Sequence, residues 1–134
     1  MTGILDLSQY DVNNTPDPTA VDEGEHKIRI IECEGIKEDK NGNNYFMPRF
    51  EIPEEPTSKD FTYFIAMPNS SMDAKEMNRT LAKLKNFGLA FGLDFSHEIS
   101  FDDLAGLEGW ALLGRKDDPE YGPQNYIKKF ITGA

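Results

Sequence analysis

Apolar positions that alternate with polar ones predict β-strands in the first half of the chain. The stretch HKIRIIECEGI places Ile28 and Ile30 on one face and then shifts phase to Ile31 and Cys33. Such a shift predicts a bulge or a strongly coiled strand. The segment EDKNGNN follows, and its Asn-Gly pair predicts a hairpin turn into a second strand.

The second strand, YFMPRFEI, alternates, whereas the third, FTYFIAM, is apolar on both faces. Phe46, Phe50 and Ile52 are predicted to face the core, and Pro48 indicates an edge position or a bulge. The opposite face of the second strand carries Tyr45, Met47, Arg49 and Glu51.

A helical period replaces the alternation after residue 70. Apolar side chains recur at spacings of four and three residues and predict one buried stripe, formed by Met77, Leu81, Leu84, Gly88 and Phe91. Ser70 followed by Asp73 resembles a capping box, and Gly92 predicts the C-terminal end. SFDDLAGLEG then predicts a short capped segment or tight loop, before two closing strands in WALLGRK and QNYIKKFITG.

The predicted order is strand, strand, strand, helix, strand, strand. It matches the OB-fold, a mainly β, five-stranded Greek-key barrel, with one helix between strands 3 and 4. A β-sandwich with an inserted helix, or an α+β sheet with the helix across one face, has the same order and stays open. Residues 1–24 show no periodicity and predict an acidic, flexible N-terminal arm, which leaves 25–134 as the OB-fold domain.

Charge changes the functional expectation. The net charge of −10 argues against nucleic acid, because phosphate binding relies on Lys and Arg. Six of the 24 acidic residues lie in residues 1–26, which contain no Lys or Arg. The remaining chain can therefore present a basic groove, although we expect it to bind weakly and with strong salt dependence.

The sequence contains no recognisable catalytic or metal-binding motif. Asp39–Asn43 resembles the start of a calcium loop, but Asn44 and Phe50 stand where that loop needs glycine and glutamate. His26 and His97 have no partners nearby in the sequence, and the single cysteine excludes an intramolecular disulfide and the common zinc patterns. We therefore expect no enzymatic activity, no metal and no cofactor.

No apolar run approaches membrane-spanning length, and no basic region precedes an apolar stretch at the N-terminus. We therefore expect a cytoplasmic protein without a membrane partner.

Aromatic and basic side chains on the predicted strands and loops form the candidate binding surface. Exposed rings stack on bases, at about 1–3 kcal/mol each, while Lys and Arg follow the phosphates of a single strand. Tyrosines also occupy strands for packing reasons alone. The candidate nucleic-acid-binding residues are Lys37, Lys40, Tyr45, Arg49, Tyr63, Arg115, Lys116, Tyr121, Tyr126 and Lys128.

A family resemblance extends from about Gly24 to Phe130. It is carried, in order, by GEHKIRIIECEGIKEDKNGNNYFMPRFEI, FTYFIAMPN, LAKLKNFGLAFG and DDLAGLEGWALLGRKDDPEYGPQNYIKKF. The chain resembles small bacteriophage replication-region proteins regarded as OB-fold single-stranded DNA-binding proteins. The resemblance implies non-catalytic coating of single-stranded DNA in phage replication or recombination, in the host cytoplasm. It also gives Gly122 and Asn125, in the loop after Tyr121, a role in shaping the turn.

Two features depart from this family pattern. The acidic segment lies at the N-terminus, and KFITGA is not the acidic tail through which many single-strand binders recruit partners. Phage replication or recombination proteins, and a second copy of the chain, remain open as further partners. The alternative function is an acidic protein-interaction module, such as a replisome or recombinase adaptor or an inhibitor of a host protein. A phage structural or assembly component is a third possibility.

Overall fold

The computed structural model describes residues 2–133, which form eight strand segments, one α-helix and one short 3₁₀ helix, Phe101–Asp103. In chain order the elements are β1 (Gly24–Glu32), β2 (Lys37–Glu38), β3 (Asn44–Phe46), β4 (Arg49–Glu51), β5 (Phe61–Thr62), β6 (Ile65–Ala66), α1 (Ala74–Phe91), β7 (Glu108–Asp118) and β8 (Gly122–Ile131).

The strands form a nearly closed antiparallel barrel. One sheet has the order β5-β4-β1-β7-β8, and a smaller sheet has the order β2-β3-β6. β5 lies against β8, which brings the two edges of the larger sheet together. Each of the first three predicted strands is split in two, and α1 lies between the third and fourth. The predicted order and the OB-fold-like barrel are therefore confirmed.

The splits in the strands have local causes that the sequence indicated. The register of β1 against β4 shifts between Ile30 and Glu32, as the change of phase predicted. Pro48 is buried between β3 and β4, where it interrupts the ladder. Asp39 stabilises the turn of the first hairpin, because its carboxylate accepts hydrogen bonds from the backbone N–H groups of Asn41 and Asn43.

The core is built mainly from phenylalanine. Phe50 is fully buried, and its ring packs against Phe61 and Phe91 with centroids 5.7 and 5.8 Å apart. Phe87 and Phe130 join the same cluster from α1 and β8. Burying each ring contributes about 1.5–3 kcal/mol, so this cluster ties the helix to the barrel.

α1 begins three residues later than the capping-box pattern suggested. Asp73, not Ser70, caps the helix, since its Oδ1 accepts the backbone N–H of Glu76 at 2.8 Å. At the other end, Gly92 adopts the left-handed conformation (φ +73°) and confirms the predicted stop. No helix within residues 2–133 is long and apolar enough to cross a membrane.

The buried face of α1 is rotated from the predicted stripe. Thr80, Phe87, Gly88 and Phe91 are buried, whereas Leu81 is exposed. Phe87 determines this rotation because its large ring enters the phenylalanine cluster.

A bulge in β8 changes which of its side chains face the core. Leu112 pairs with Lys129 but Leu113 pairs with Ile127, so Lys128 is the extra residue on β8. Ile127 and Phe130 are consequently buried, whereas Ile131, which strict alternation from Ile127 would place in the core, is half-buried.

The N-terminal arm behaves as two segments. Residues 2–18 are exposed, but the backbone of Thr19 pairs with the loop before β5, where it accepts the N–H of Lys59 at 2.7 Å. Val21 is held by the Asn125 side chain, which accepts its N–H at 2.9 Å and donates to its C=O at 3.0 Å. Asn125 therefore anchors the arm instead of capping the β7–β8 turn, while Gly122 (φ +77°) shapes that turn as expected.

Candidate nucleic-acid interface

The outward side chains of β3 to β6 share one face of the barrel. Tyr45, Met47 and Arg49 alternate with buried Phe46, Pro48 and Phe50, as the sequence predicted. Arg49 lies opposite Thr62 in the β4–β5 register, so the outward row continues onto the neighbouring strand.

Two adjoining depressions on this face form what we call the outer groove. Their volumes are about 330 and 200 Å³, and they share Arg49 and Thr62, which makes them continuous. Along its length the outer groove is lined by Lys37, Met47, Arg49, Thr62, Lys116 and Tyr126. The fold thus brings four of the ten predicted residues into one groove.

Arg49 lies at the centre of the outer groove between two carboxylates. Its Nη2 is 3.1 Å from Glu32 Oε1, and its Nε is 3.9 Å from Asp60 Oδ2. That Nε is buried and has no hydrogen-bond acceptor within residues 2–133. An unsatisfied buried donor costs about 1–3 kcal/mol. A bound acceptor that moves the guanidinium so that its Nε–H is hydrogen-bonded would remove this cost.

The ends of the outer groove carry the remaining cations. Lys37 pairs with Glu34 at 2.7 Å, and this pair lowers the pKa of Glu34 and raises the pKa of Lys37. At the other end Lys59 donates to the backbone carbonyl of Tyr121, and Lys116 makes no ion pair within the described residues. The lining contains four cations and three carboxylates, so this strip is slightly positive in an acidic chain.

An aromatic pair lies next to the Lys37 end of the outer groove, because Tyr45 is opposite Lys37 in the β2–β3 register. The rings of Tyr45 and Phe64 lie 4.8 Å apart at 31°, and Phe64 is 47 % exposed. Phe64 was not among the predicted site residues. Strict alternation between buried Phe61 and buried Ile65 places Phe64 outward. The sequence did not predict this, because a strand that is apolar on both faces does not indicate which face is buried.

The same alternation turns Tyr63 away from the outer groove. Its ring packs edge-on against Phe130 at 5.1 Å, and Lys83 Nζ lies 5.6 Å from its centroid. Burial raises the pKa of Tyr63. The structure therefore places Tyr63 between core and helix, while Phe64 occupies the outward position beside Tyr45.

Tyr126 is positioned by a glycine on the neighbouring strand. Gly114 lies opposite it in the β7–β8 register, and a Cβ at Gly114 would lie 2.3 Å from Tyr126 Cζ. The tyrosine ring therefore lies directly across the Gly114 backbone, where no larger residue fits. This contact fixes one aromatic wall of the outer groove.

The docked part of the N-terminal arm engages two predicted binding residues. Arg115 Nη1 is 3.5 Å from Asp22 Oδ1 and 3.4 Å from the carbonyl oxygen of Ala20. Lys128 Nζ is 3.5 Å from Glu23 Oε2. Neither cation lines the outer groove, and both are neutralised by acidic residues of their own chain.

The last two predicted residues lie in exposed loops. Lys40 is in the turn of the first hairpin, and Tyr121 is at the tip of the β7–β8 hairpin. The Asp118 carboxylate accepts the backbone N–H groups of Tyr121 and Glu120 at 2.9 and 2.8 Å. These bonds lower the pKa of Asp118 and hold the tip in shape.

Within residues 2–133 no three His, Cys, Asp or Glu side chains are grouped so as to hold a metal ion. In comparisons with known proteins, the chain matches no protein-family model and no curated protein.

Proposed function

We propose that this protein binds single-stranded DNA with little sequence preference and without catalysis, in phage DNA replication or recombination. The phage setting rests on the sequence resemblance alone. The observation that supports binding is the outer groove, where Arg49 and Lys116 share a continuous surface with Tyr126. The groove lies on the face where OB-fold proteins bind oligonucleotides.

The chemistry of the outer groove suits a flexible, single strand. The exposed ring of Phe64 offers a stacking surface that accepts any base, because every base has a π-face. Arg49 and Lys116 supply charge for the phosphates. A phosphate at Arg49 competes with Glu32 and Asp60, so we expect modest affinity. With three or four phosphate contacts, log K should fall with log salt at a slope of about −2 to −3.

The test is a titration with oligo-dT at about 50 mM and about 200 mM salt, followed by tyrosine fluorescence. Trp110 lies opposite Lys27 on β1 and does not line the outer groove, so its emission serves as an internal reference. We expect quenching of the tyrosine signal, with weaker binding at the higher salt. Absence of binding at the lower salt would refute the proposal.

A matched pair of arginine variants localises the binding. Arg49→Gln should weaken binding about tenfold, or about 1.4 kcal/mol. Arg29→Gln is the control, because Arg29 also pairs with two carboxylates, at 2.9 and 3.6 Å, but lies outside the outer groove. Equal losses in both variants would show a general charge effect instead of a defined site.

The alternative function, an acidic protein-interaction module, is favoured by a separate observation. An open apolar groove of about 700 Å³ lies beside α1, and apolar surfaces of this kind serve protein contacts. If oligo-dT fails to bind and the chain stays monomeric, while an apolar, acidic peptide binds beside α1, the module is the better description.

A further inference from the structure

The apolar groove beside α1, here called the helix groove, has no role in the DNA-binding proposal. One wall is formed by Leu81, Leu84 and Leu89 of α1, and the other by Phe95, Ile99 and Phe101. Leu89 is 54 % exposed and Phe95 is 46 % exposed. Single exposed apolar residues are ordinary, but a contiguous patch on two facing walls marks a binding surface.

The basic side chains of α1 form no ion pairs within the described residues, and one of them, Lys85, lines the helix groove. α1 carries Lys75, Arg79, Lys83 and Lys85 against one acid, Glu76. None of these four cations forms an ion pair within residues 2–133. Lys85 lines the groove and lies one turn from both Leu81 and Leu89, so charge alternates with apolar surface along one row. Asp94 and His97 also line the groove, but the Asp94 carboxylate already accepts hydrogen bonds from the Ser96 N–H and hydroxyl. Lys85 is left as the unpaired charge, so the occupant that fits is apolar and carries a carboxylate.

The N-terminal arm has this composition. Ile4 is 97 % exposed and Leu5 is 83 % exposed, and Leu7 and Tyr10 are also exposed. Between these apolar residues lies Asp6, and residues 2–18 contain no Lys or Arg. The arm thus presents an apolar, an acidic and an apolar side chain in turn. This order matches Leu81, Lys85 and Leu89 along the helix groove.

We propose that the helix groove binds residues 4–12 of a second copy of this chain. Within one copy the arm leaves its apolar residues in water and the groove open, although both would gain from burial. The arm is anchored at Thr19, and residues 12–19 extend roughly 25 Å, which is enough to reach a neighbouring molecule. Reciprocal exchange of two arms gives a closed, two-fold dimer.

The first test measures the mass of the full chain by light scattering and sedimentation across micromolar to sub-millimolar concentrations. We expect a monomer–dimer equilibrium that shifts to monomer in Leu5→Ser/Leu7→Ser and, separately, in Leu89→Ser. Both variants change exposed residues, so circular dichroism should show an unchanged fold. A chain that stays monomeric throughout, or a dimer that survives both variants, would overturn the proposal.

Mixing the two defective variants separates exchange between copies from docking within one copy. The arm variant keeps an intact groove, and the groove variant keeps an intact arm, so one arm–groove contact remains available in the mixture. Native mass spectrometry should detect a heterodimer that neither variant forms with itself. Absence of that heterodimer, together with crosslinks only within one chain, would contradict exchange.

A charge reversal tests the register. Lys85→Glu should weaken dimerisation about tenfold, and adding Asp6→Lys should restore it, since the pair is then reversed. Lys75→Glu is the control, because Lys75 lies on the same helix but does not line the groove. If Lys85→Glu and Lys75→Glu weaken dimerisation equally, the arm does not bind beside Lys85. Since DNA is absent from these measurements, failure here leaves the DNA-binding proposal unaffected.

Discussion

The outer groove and the helix groove lie on one small barrel but differ in how their cations are paired. In the outer groove Lys37 and Arg49 already contact carboxylates, so a phosphate must displace Glu34, Glu32 or Asp60. In the helix groove Lys85 has no ion-pair partner within the described residues, and most of the lining is apolar, with Asp94 and His97 as its other polar side chains. Internal competition should make the first surface weak and salt-dependent, while the second gains mainly from apolar burial.

The largest effect should come from the residue that supports both grooves. Phe87 is fully buried, borders the helix groove and packs against Phe46 beneath the outward row. We expect Phe87→Ala to lower the free energy of unfolding by about 3–5 kcal/mol and to impair both surfaces together. Urea unfolding followed by Trp110 fluorescence measures this loss.

The control for this variant is Leu89→Ala, at an exposed position of the same helix. It should change the free energy of unfolding by no more than about 0.5 kcal/mol. If Phe87→Ala costs no more than this control, the two grooves do not share one core.

Two equally exposed phenylalanines separate the surfaces directly. Phe64 is 47 % exposed beside the outer groove, and Phe95 is 46 % exposed in the helix groove. Phe64→Ala should weaken oligo-dT binding by about 1–3 kcal/mol, because a stacking surface is lost. Phe95→Ala should leave DNA binding unchanged and weaken self-association. If Phe64→Ala instead weakens self-association and Phe95→Ala weakens DNA binding, the two grooves have the opposite roles.

A smaller effect should come from the acids that neutralise Arg115 and Lys128. Asp22→Asn/Glu23→Gln removes the arm's carboxylates from both cations and leaves Arg115 only Asp117, at 3.8 Å. We expect about two- to fivefold tighter DNA binding at low salt. Point variants are needed because Val21 is bound to Asn125, so a deletion through residue 24 would also remove a structural contact. Asp11→Asn/Asp17→Asn, in the undocked part of the arm, should have less effect.

The smallest effect is expected at acid pH, because each surface has one turn that is stabilised by an ionised carboxylate. The pKa of Asp118 is lowered by backbone hydrogen bonds from Tyr121 and Glu120, and the pKa of Asp94 by the Ser96 hydroxyl and backbone N–H. Each ionised carboxylate therefore stabilises its turn above the ordinary pKa of 3.8, and this contribution is lost as pH falls through the lower folded value. The protection factors of the Tyr121 and Ser96 amides, measured relative to the intrinsic exchange rate at each pH, should fall together. A fall at only one of them would show that the turns are not equivalent.

Element order was predictable because each element carried its own local signal. The Asn-Gly turn, the phase shift of the first strand and the glycine at the end of α1 act within a few residues. Five strands and one helix in that order then have few compact arrangements.

The composition of the site was less predictable because it depends on contacts far apart in sequence. The phase of the third strand turns Tyr63 toward Phe130, which is 67 residues away in sequence, and leaves Phe64 in the outward position. Likewise the β8 bulge at Lys128 decides that Phe130, not Ile131, enters the core. The pairing of Arg115 with Asp22 needs the folded arm, which no local pattern of charges could indicate.

The amide of Asn125 also has a consequence for the order of events during synthesis. Val21 and Asn125 are 104 residues apart, so this docking contact does not exist until the chain through Asn125 has left the ribosome. At about 5–20 residues per second, the arm waits roughly 5–20 s after its own synthesis before it can dock. Contacts that span such a distance in sequence form late. Docking of the arm therefore reports that the barrel is complete, and the nascent chain carries a free acidic segment until then.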